Sequence, residues 1–132
     1  MVLVFILSSC GKEKFYRYNS EITGKWEVRD FISLESMAYE KNDDYNPVIE
    51  FKEEGIYNLT LDVNTCTGKY HFNENDELEF AAVGCTKMCC DSPFSKKLTE
   101  MLPRITSYSI DKNDLRLNVP GWGWITLKRI LD

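Results

Sequence analysis

The chain has 132 residues, a formal net charge of −5 at pH 7 and one histidine. A chain of this length buries most of its apolar surface around one core, so we predict one domain. No basic run is longer than the two residues of Lys96-Lys97, and with an acidic net charge this argues against nucleic acid as a partner. A Ser-His-Asp or Cys-His mechanism would have to use His71, which lies in a predicted strand, so we predict no enzymatic activity.

The first nine residues form an uncharged apolar segment that ends in Ser8-Ser9, and Cys10 follows directly. This order resembles a bacterial lipoprotein signal, in which small residues precede the cut and the next cysteine takes the lipid. We therefore predict a signal peptide over residues 1–9, truncated at its start, acylation of Cys10, and a tether over residues 10–21. The lipid would attach the protein to a membrane of the cell envelope, and we expect this to be the outer membrane. The alternative is a hydrophobic first β-strand, which residues 2–6 would suit.

From Ile22 onward, short β-rich segments recur between turn signals. This spacing predicts an antiparallel β-barrel or sandwich over residues 22–132. The predicted strands are Gly24–Phe31, Pro47–Lys52, Ile56–Val63, Cys66–Phe72, Glu77–Val83, Ile105–Ile110, Leu115–Val119 and Trp124–Lys128. Alternation puts Tyr57, Leu59, Leu61 and Val63 on one face of the third strand. Residues 73–76 and 111–114 are predicted turns, because Asn and Asp tolerate a left-handed backbone, and residues 33–40 could form a short helix or a loop.

One segment has the period of a helix. Ser92 suits the N-cap, Pro93 suits the first helical position, and apolar side chains recur at helical spacing from Phe94 to Leu102 before Pro103 ends the segment. We expect a single amphipathic helix that packs across an open end or a face of the sheet.

Four cysteines remain after Cys10: Cys66, Cys85, Cys89 and Cys90. Outside the cytoplasm thiols tend to oxidise, so one or two disulfides are favoured. Bonds from Cys66 to the cluster at 85–90 are preferred, because a bond between adjacent cysteines would strain the backbone. A zinc site is the alternative, but only Cys85 and Cys89 have the spacing of a zinc-binding pair. We therefore predict no metal and no cofactor.

The segment Pro120–Trp124 contains two tryptophans. Trp122 and Trp124 would share one face of a strand that includes both. Such a pair either closes the core or lines a surface for a partner or for an apolar or sugar ligand.

Several pieces of the sequence together resemble one family. They are Gly24-Lys25-Trp26, Pro47–Phe51, Asn64 with Gly68 and Tyr70, Thr86-Lys87-Met88-Cys89-Cys90, Phe94 with Leu98, Tyr108–Ile110 and Leu115–Leu117. They are similar to the META-domain family of small envelope proteins, which includes the heat-shock lipoprotein HslJ. That family often has a cysteine where Val63 stands here.

The resemblance implies a compact antiparallel β-fold with one helix, no catalytic residues and a non-catalytic envelope role. It also implies that Asn64 and Gly68 shape a turn and a close backbone approach, and that Thr86 and Met88 pack or satisfy backbone groups.

Two functions remain open. The first is a lipid-tethered structural or protein-interaction module of the envelope-stress type, which binds another envelope protein through a loop or a sheet edge. The second is a lipocalin-like binder that holds a small apolar ligand in its interior. Solid packing of Trp26, Tyr57, Leu59 and Trp124 together would exclude the second.

Overall fold

A computed structural model describes residues 21–75 and 77–131 of the chain, in which eight strands and one α-helix form. In chain order they are β1 (Gly24–Ser33), β2 (Val48–Phe51), β3 (Ile56–Thr60), β4 (Thr65–Phe72), β5 (Leu78–Cys85), α1 (Pro93–Met101), β6 (Ser107–Asp111), β7 (Asp114–Val119) and β8 (Gly123–Arg129), with a 3₁₀ turn over Leu102–Arg104. The predicted signal peptide over residues 1–9, the acylation of Cys10 and nearly all of the tether lie outside the described residues.

The strands form a single antiparallel sheet in the order β5-β4-β3-β2-β1-β8-β7-β6. The sheet curls until its two outermost strands approach each other, where the Leu78 amide donates a 2.9 Å hydrogen bond to the Thr106 carbonyl. The result is a nearly closed β-barrel with one short helix. This confirms the predicted mainly-β fold.

The interior of the barrel is filled by large side chains. Trp26, Tyr57 and Leu59 are fully buried. Counting these three, every strand except β6 contributes at least two buried apolar residues. Alternation along each strand explains this arrangement, because every second side chain points inward. Trp124 lies outside this core and is partly exposed.

Helix α1 covers one end of the barrel, which we call the helix end. Its N-cap is Ser92, whose hydroxyl accepts a 3.2 Å hydrogen bond from the Ser95 amide, and Pro93 occupies the first turn. Leu98 and Met101 are fully buried, so the apolar face of the helix packs on the core. Among the described residues, no helix is both long and apolar enough to cross a bilayer.

Gly68 is required by close packing on β4. A Cβ atom at this position would lie 2.8 to 2.9 Å from three atoms of the Tyr57 phenol ring, which is shorter than any normal contact. The Tyr57 hydroxyl is buried without a hydrogen-bond partner among the described residues, and burial raises its pKa to about 12. The close approach expected at Gly68 is therefore to a core aromatic ring.

Two local predictions differ from the structure, and one open alternative is decided. Strand β3 ends at Thr60, and Val63 is 38% exposed, because the Val63 amide donates to the Asp91 carboxylate at 2.7 Å and so leaves the strand direction. Residues 34–46 form a loop, which is one of the two alternatives predicted for residues 33–40. In the 111–114 turn the left-handed residue is Lys112, with φ of 59°, and neither Asn nor Asp takes that position.

Candidate functional site

The family-like segment Thr86–Cys90 forms a loop at the helix end of the barrel, and Asn64 fixes it. Asn64 lies between β3 and β4 and is 6% exposed. Its Oδ1 accepts hydrogen bonds from the Thr86 hydroxyl and the Met88 amide, both at 2.7 Å. Its Nδ2 donates to the Met88 carbonyl at 2.8 Å and to Asp91 Oδ2 at 2.6 Å. One buried side chain therefore fixes the backbone of the loop at several points.

Two aspartates connect the same segments in opposite directions. The Asp91 carboxylate accepts from the amides of Val63 and Asn64 at 2.7 and 3.0 Å. The Asp62 carboxylate accepts from the Ser92 amide at 3.0 Å and from the hydroxyl of Ser95. Burial alone would raise the pKa of Asp62, but the hydrogen bonds from Ser95 and Ser92 together lower it. These reciprocal contacts join the β3–β4 turn to the start of α1.

The cysteines lie in and beside this loop. Cys66 on β4 is bonded to Cys85 on β5, with their Cα atoms 4.0 Å apart and the residues directly opposite in the ladder. Cys89 and Cys90 follow each other directly in the loop. Cys66 thus pairs with Cys85, which is one member of the 85–90 cluster.

Met88 stands out in this loop. Its side chain is 64% exposed although its amide and its carbonyl are both bonded to Asn64. Val63, on the neighbouring turn, is 38% exposed. The arrangement displays apolar side chains on a backbone that is already ordered.

The two tryptophans of the 120–124 segment do not share a strand face. Trp122 precedes β8, is 5% exposed, and donates from Nε1 to Glu35 Oε1 at 2.9 Å. Its ring lies 5.4 Å from that of Phe31. The prediction of a shared face is wrong because Gly121 and Gly123 have φ of 79° and 149°, so a turn and not a strand carries Trp122. Hydrogen bonds from Trp122 and Tyr39, with the nearby Lys97 charge, lower the pKa of Glu35.

Trp124 lies on the outer surface of the barrel. It is opposite Ile32 on β1 and Asn118 on β7, and the Arg116 guanidinium lies 4.3 Å from its ring centroid. Trp122 and Trp124 both contribute to a surface groove of about 400 Å³. The remaining lining residues are Ile32, Ser33, Leu34, Thr106, Ser107, Asn118, Val119, Pro120, Gly121 and Gly123.

The single histidine is paired with a carboxylate on the neighbouring strand. His71 Nε2 lies 2.9 Å from Glu79 Oε1 across the β4–β5 pair. Over residues 21–75 and 77–131, no group of three or more His, Cys, Asp or Glu side chains is placed to bind a metal ion. Asp62, Asp91 and Arg116 are not among the residues that the sequence predicts for a site. The position of Asp91 directly before the N-cap was the available signal for one of them.

Comparison with known proteins identifies the family. The META-domain model matches residues 20–128. The chain belongs to the META-domain family. Two solved structures share the fold of this META domain at low sequence identity. A protein from Burkholderia xenovorans, solved by NMR, has a TM-score of 0.67 at 15% identity, with 83% of each chain covered.

The second structure is a crystal structure of a DUF4847 family protein from Bacteroides vulgatus. Its TM-score is 0.63 at 20% identity, and the match covers 86% of the META-domain chain and 98% of the other. No functionally curated protein matches the chain. The two solved structures therefore support the fold of the META domain and do not indicate its function.

Proposed function

We propose that this META-domain protein is a non-enzymatic module of the cell envelope, tethered by lipid on Cys10, that binds another envelope protein through the Met88 loop. The observation that carries the proposal is the contrast between the fixed backbone of Met88 and its 64% exposed side chain. A single exposed apolar residue is common on protein surfaces. A flexible thioether on a fixed backbone is nevertheless suited to contact with a partner.

Order in the loop favours binding. Association costs about 0.5–1.5 kcal/mol for each flexible side chain that it immobilises, and more where a loop must be ordered. Asn64, Asp91 and the Cys66–Cys85 disulfide order the backbone before any partner arrives. The thioether side chain of Met88 adapts its shape to a partner surface at little cost.

The tether is supported by the sequence before the domain. The net charge of −5 would repel anionic headgroups, so lipid on Cys10 is the more effective means of attachment. One acyl chain gives only reversible binding, whereas several chains anchor a protein stably.

The proposal is tested by photo-crosslinking in the native envelope. A photoreactive amino acid is placed at Met88 and, in a matched control, at Met37, which is the same residue type with 65% exposure. We expect one discrete crosslinked species from position 88, and none of that size from position 37. Asn64→Ala should reduce the yield at position 88 because it releases the loop. Equal crosslinking at both positions, or none at position 88, would contradict the proposal.

Binding of a small apolar ligand is the second candidate, at a groove on the surface and not in the interior of the barrel. Trp26, Tyr57 and Leu59 fill the interior, which does not favour a ligand there as in a lipocalin. The groove beside Trp124 is the observation that favours a ligand, because its volume of about 400 Å³ is in the range of small-molecule sites.

A further inference from the structure

We propose that the groove beside Trp124 binds a soluble amphiphilic carboxylate, with its apolar body against Ile32, Leu34 and Trp124 and its anionic group on the Arg116 guanidinium. This site lies on the outer surface of β1, β8 and β7 and shares no residue with the Met88 loop. The proposal therefore does not depend on the binding of a protein partner; it rests on the second candidate function and names the chemical class of its ligand.

The apolar half of the site is exposed to water. Ile32 is 45% exposed and Leu34 is 89% exposed, and both line the groove with Trp124. Val119 and Pro120 complete the apolar wall at the start of the β7–β8 turn. Removing apolar surface from water contributes about 25 cal/mol per Å², so an apolar ligand body would be stabilised here.

The charged half of the site is Arg116. Its guanidinium lies 4.3 Å from the Trp124 ring centroid, which keeps the planar group beside the groove. None of the ion pairs found among the described residues includes Arg116. A guanidinium in this state can bind a carboxylate through two parallel hydrogen bonds.

Charge complementarity also distinguishes this groove from the neighbouring cavity. The residues that line the groove include no acidic side chain. The cavity of about 340 Å³ on the other side of β1 is lined by Asp30 and Glu35 as well as Lys41, so its carboxylates would repel an anion. An anionic ligand is therefore favoured at Trp124 and disfavoured at the neighbouring site.

The polar side chain of Asn118, held by Ser107, would orient the ligand. Asn118 lies directly opposite Trp124 in the β7–β8 ladder, and its Nδ2 donates to the Ser107 hydroxyl at 3.0 Å. The Asn118 side-chain oxygen Oδ1 and the second hydrogen on Nδ2 therefore remain available for hydrogen bonds to a ligand. A mostly apolar wall with a few fixed polar groups is the usual composition of a small-molecule site.

The test uses two fluorescent probes that differ in charge. 1-Anilinonaphthalene-8-sulfonate is an anion, and N-phenyl-1-naphthylamine has the same rings without the sulfonate. Both are titrated into the full chain carrying Cys10→Ser, so that no lipid competes. We expect Arg116→Gln to weaken binding of the anionic probe about tenfold and to change binding of the neutral probe less than about twofold. Trp124→Leu should weaken both probes.

The matched control is Lys128→Gln, which removes one positive charge from the same strand as Trp124 and should leave both affinities within about twofold. Near-ultraviolet circular dichroism checks that each variant is folded. Equal effects of Arg116→Gln on the two probes, or no effect on either, would overturn the proposal.

A displacement experiment identifies the source of the carboxylate. We expect decanoate to displace the anionic probe and decanol to displace it about tenfold less well. Vesicles of phosphatidylglycerol should show no binding that depends on Arg116. If such vesicles bind and decanoate does not displace the probe, the proposal of a soluble ligand is wrong and the surface recognises a lipid headgroup.

Discussion

Asn64 provides a quantitative test of how the Met88 loop is ordered. Its side chain takes part in four hydrogen bonds of 2.6 to 2.8 Å, and Asn64→Ala removes all of them. Each such bond contributes roughly 0.5–1.5 kcal/mol net, and the released groups of the exposed loop regain water, so we expect a loss of about 2–4 kcal/mol in the free energy of unfolding. Urea unfolding followed by tryptophan fluorescence measures this loss.

Asn58→Ala is the matched control. The Asn58 side chain accepts one hydrogen bond, from the Thr67 hydroxyl at 2.9 Å, on the outer face of β3. Its removal should cost about 1 kcal/mol or less. The slope of the free energy of unfolding against urea concentration should be unchanged. If Asn64→Ala then lowers the free energy of unfolding no more than Asn58→Ala does, Asn64 does not organise the loop.

A second variant at this position separates hydrogen bonding from shape. Asn64→Asp puts a carboxylate where Nδ2 now lies 2.6 Å from Asp91 Oδ2. Two carboxylates this close raise the pKa of one of them, so the folded state favours a shared proton. The destabilisation should exceed that of Asn64→Ala at pH 7 and should decrease as the pH is lowered towards 4. A loss in the free energy of unfolding that does not change with pH would refute the contact with Asp91.

Three further predictions concern packing, charge and crosslinking. Gly68→Ala should cost about 1–3 kcal/mol in thermal unfolding because its Cβ meets a core ring, whereas Gly84→Ala, which meets open space, should be nearly neutral. Asp62→Asn should cost about 1–2 kcal/mol at pH 7. The pKa of Asp62 is lowered in the folded state. The difference in stability should therefore be complete above the unfolded pKa of about 3.9, and it should be lost as the pH falls from there through the folded pKa. A constant difference from pH 7 to about pH 2 would contradict this. Replacing Cys66 and Cys85 by Ala should cost about 3 kcal/mol for a separation of 19 residues, and unfolding with and without a reductant checks it.

Local sequence patterns were sufficient for most of the fold. Alternation placed Tyr57, Leu59 and Leu61 on one face of the third strand, and all three are buried. The start of α1 was also predictable, because Ser92 and Pro93 are local signals whose effect does not depend on distant residues. Element type follows from such short-range patterns.

The candidate sites depended on contacts between distant residues. Asn64 and Asp91 are 27 residues apart, and Asp62 and Ser92 are 30 apart, so no local pattern shows that they meet. The same contacts end β3 early. Trp122 was misplaced because the turn before β8 changes which way its side chain points.

The lipid tether and the non-catalytic envelope role are the central claim of this account. Intact-mass spectrometry of the protein purified from its native membranes tests it most directly. We predict a chain that begins at Cys10, carries acyl groups on that residue and has lost the two thiol hydrogens of Cys66 and Cys85. A full-length, unacylated chain with free thiols, recovered from the soluble fraction, would contradict the claim.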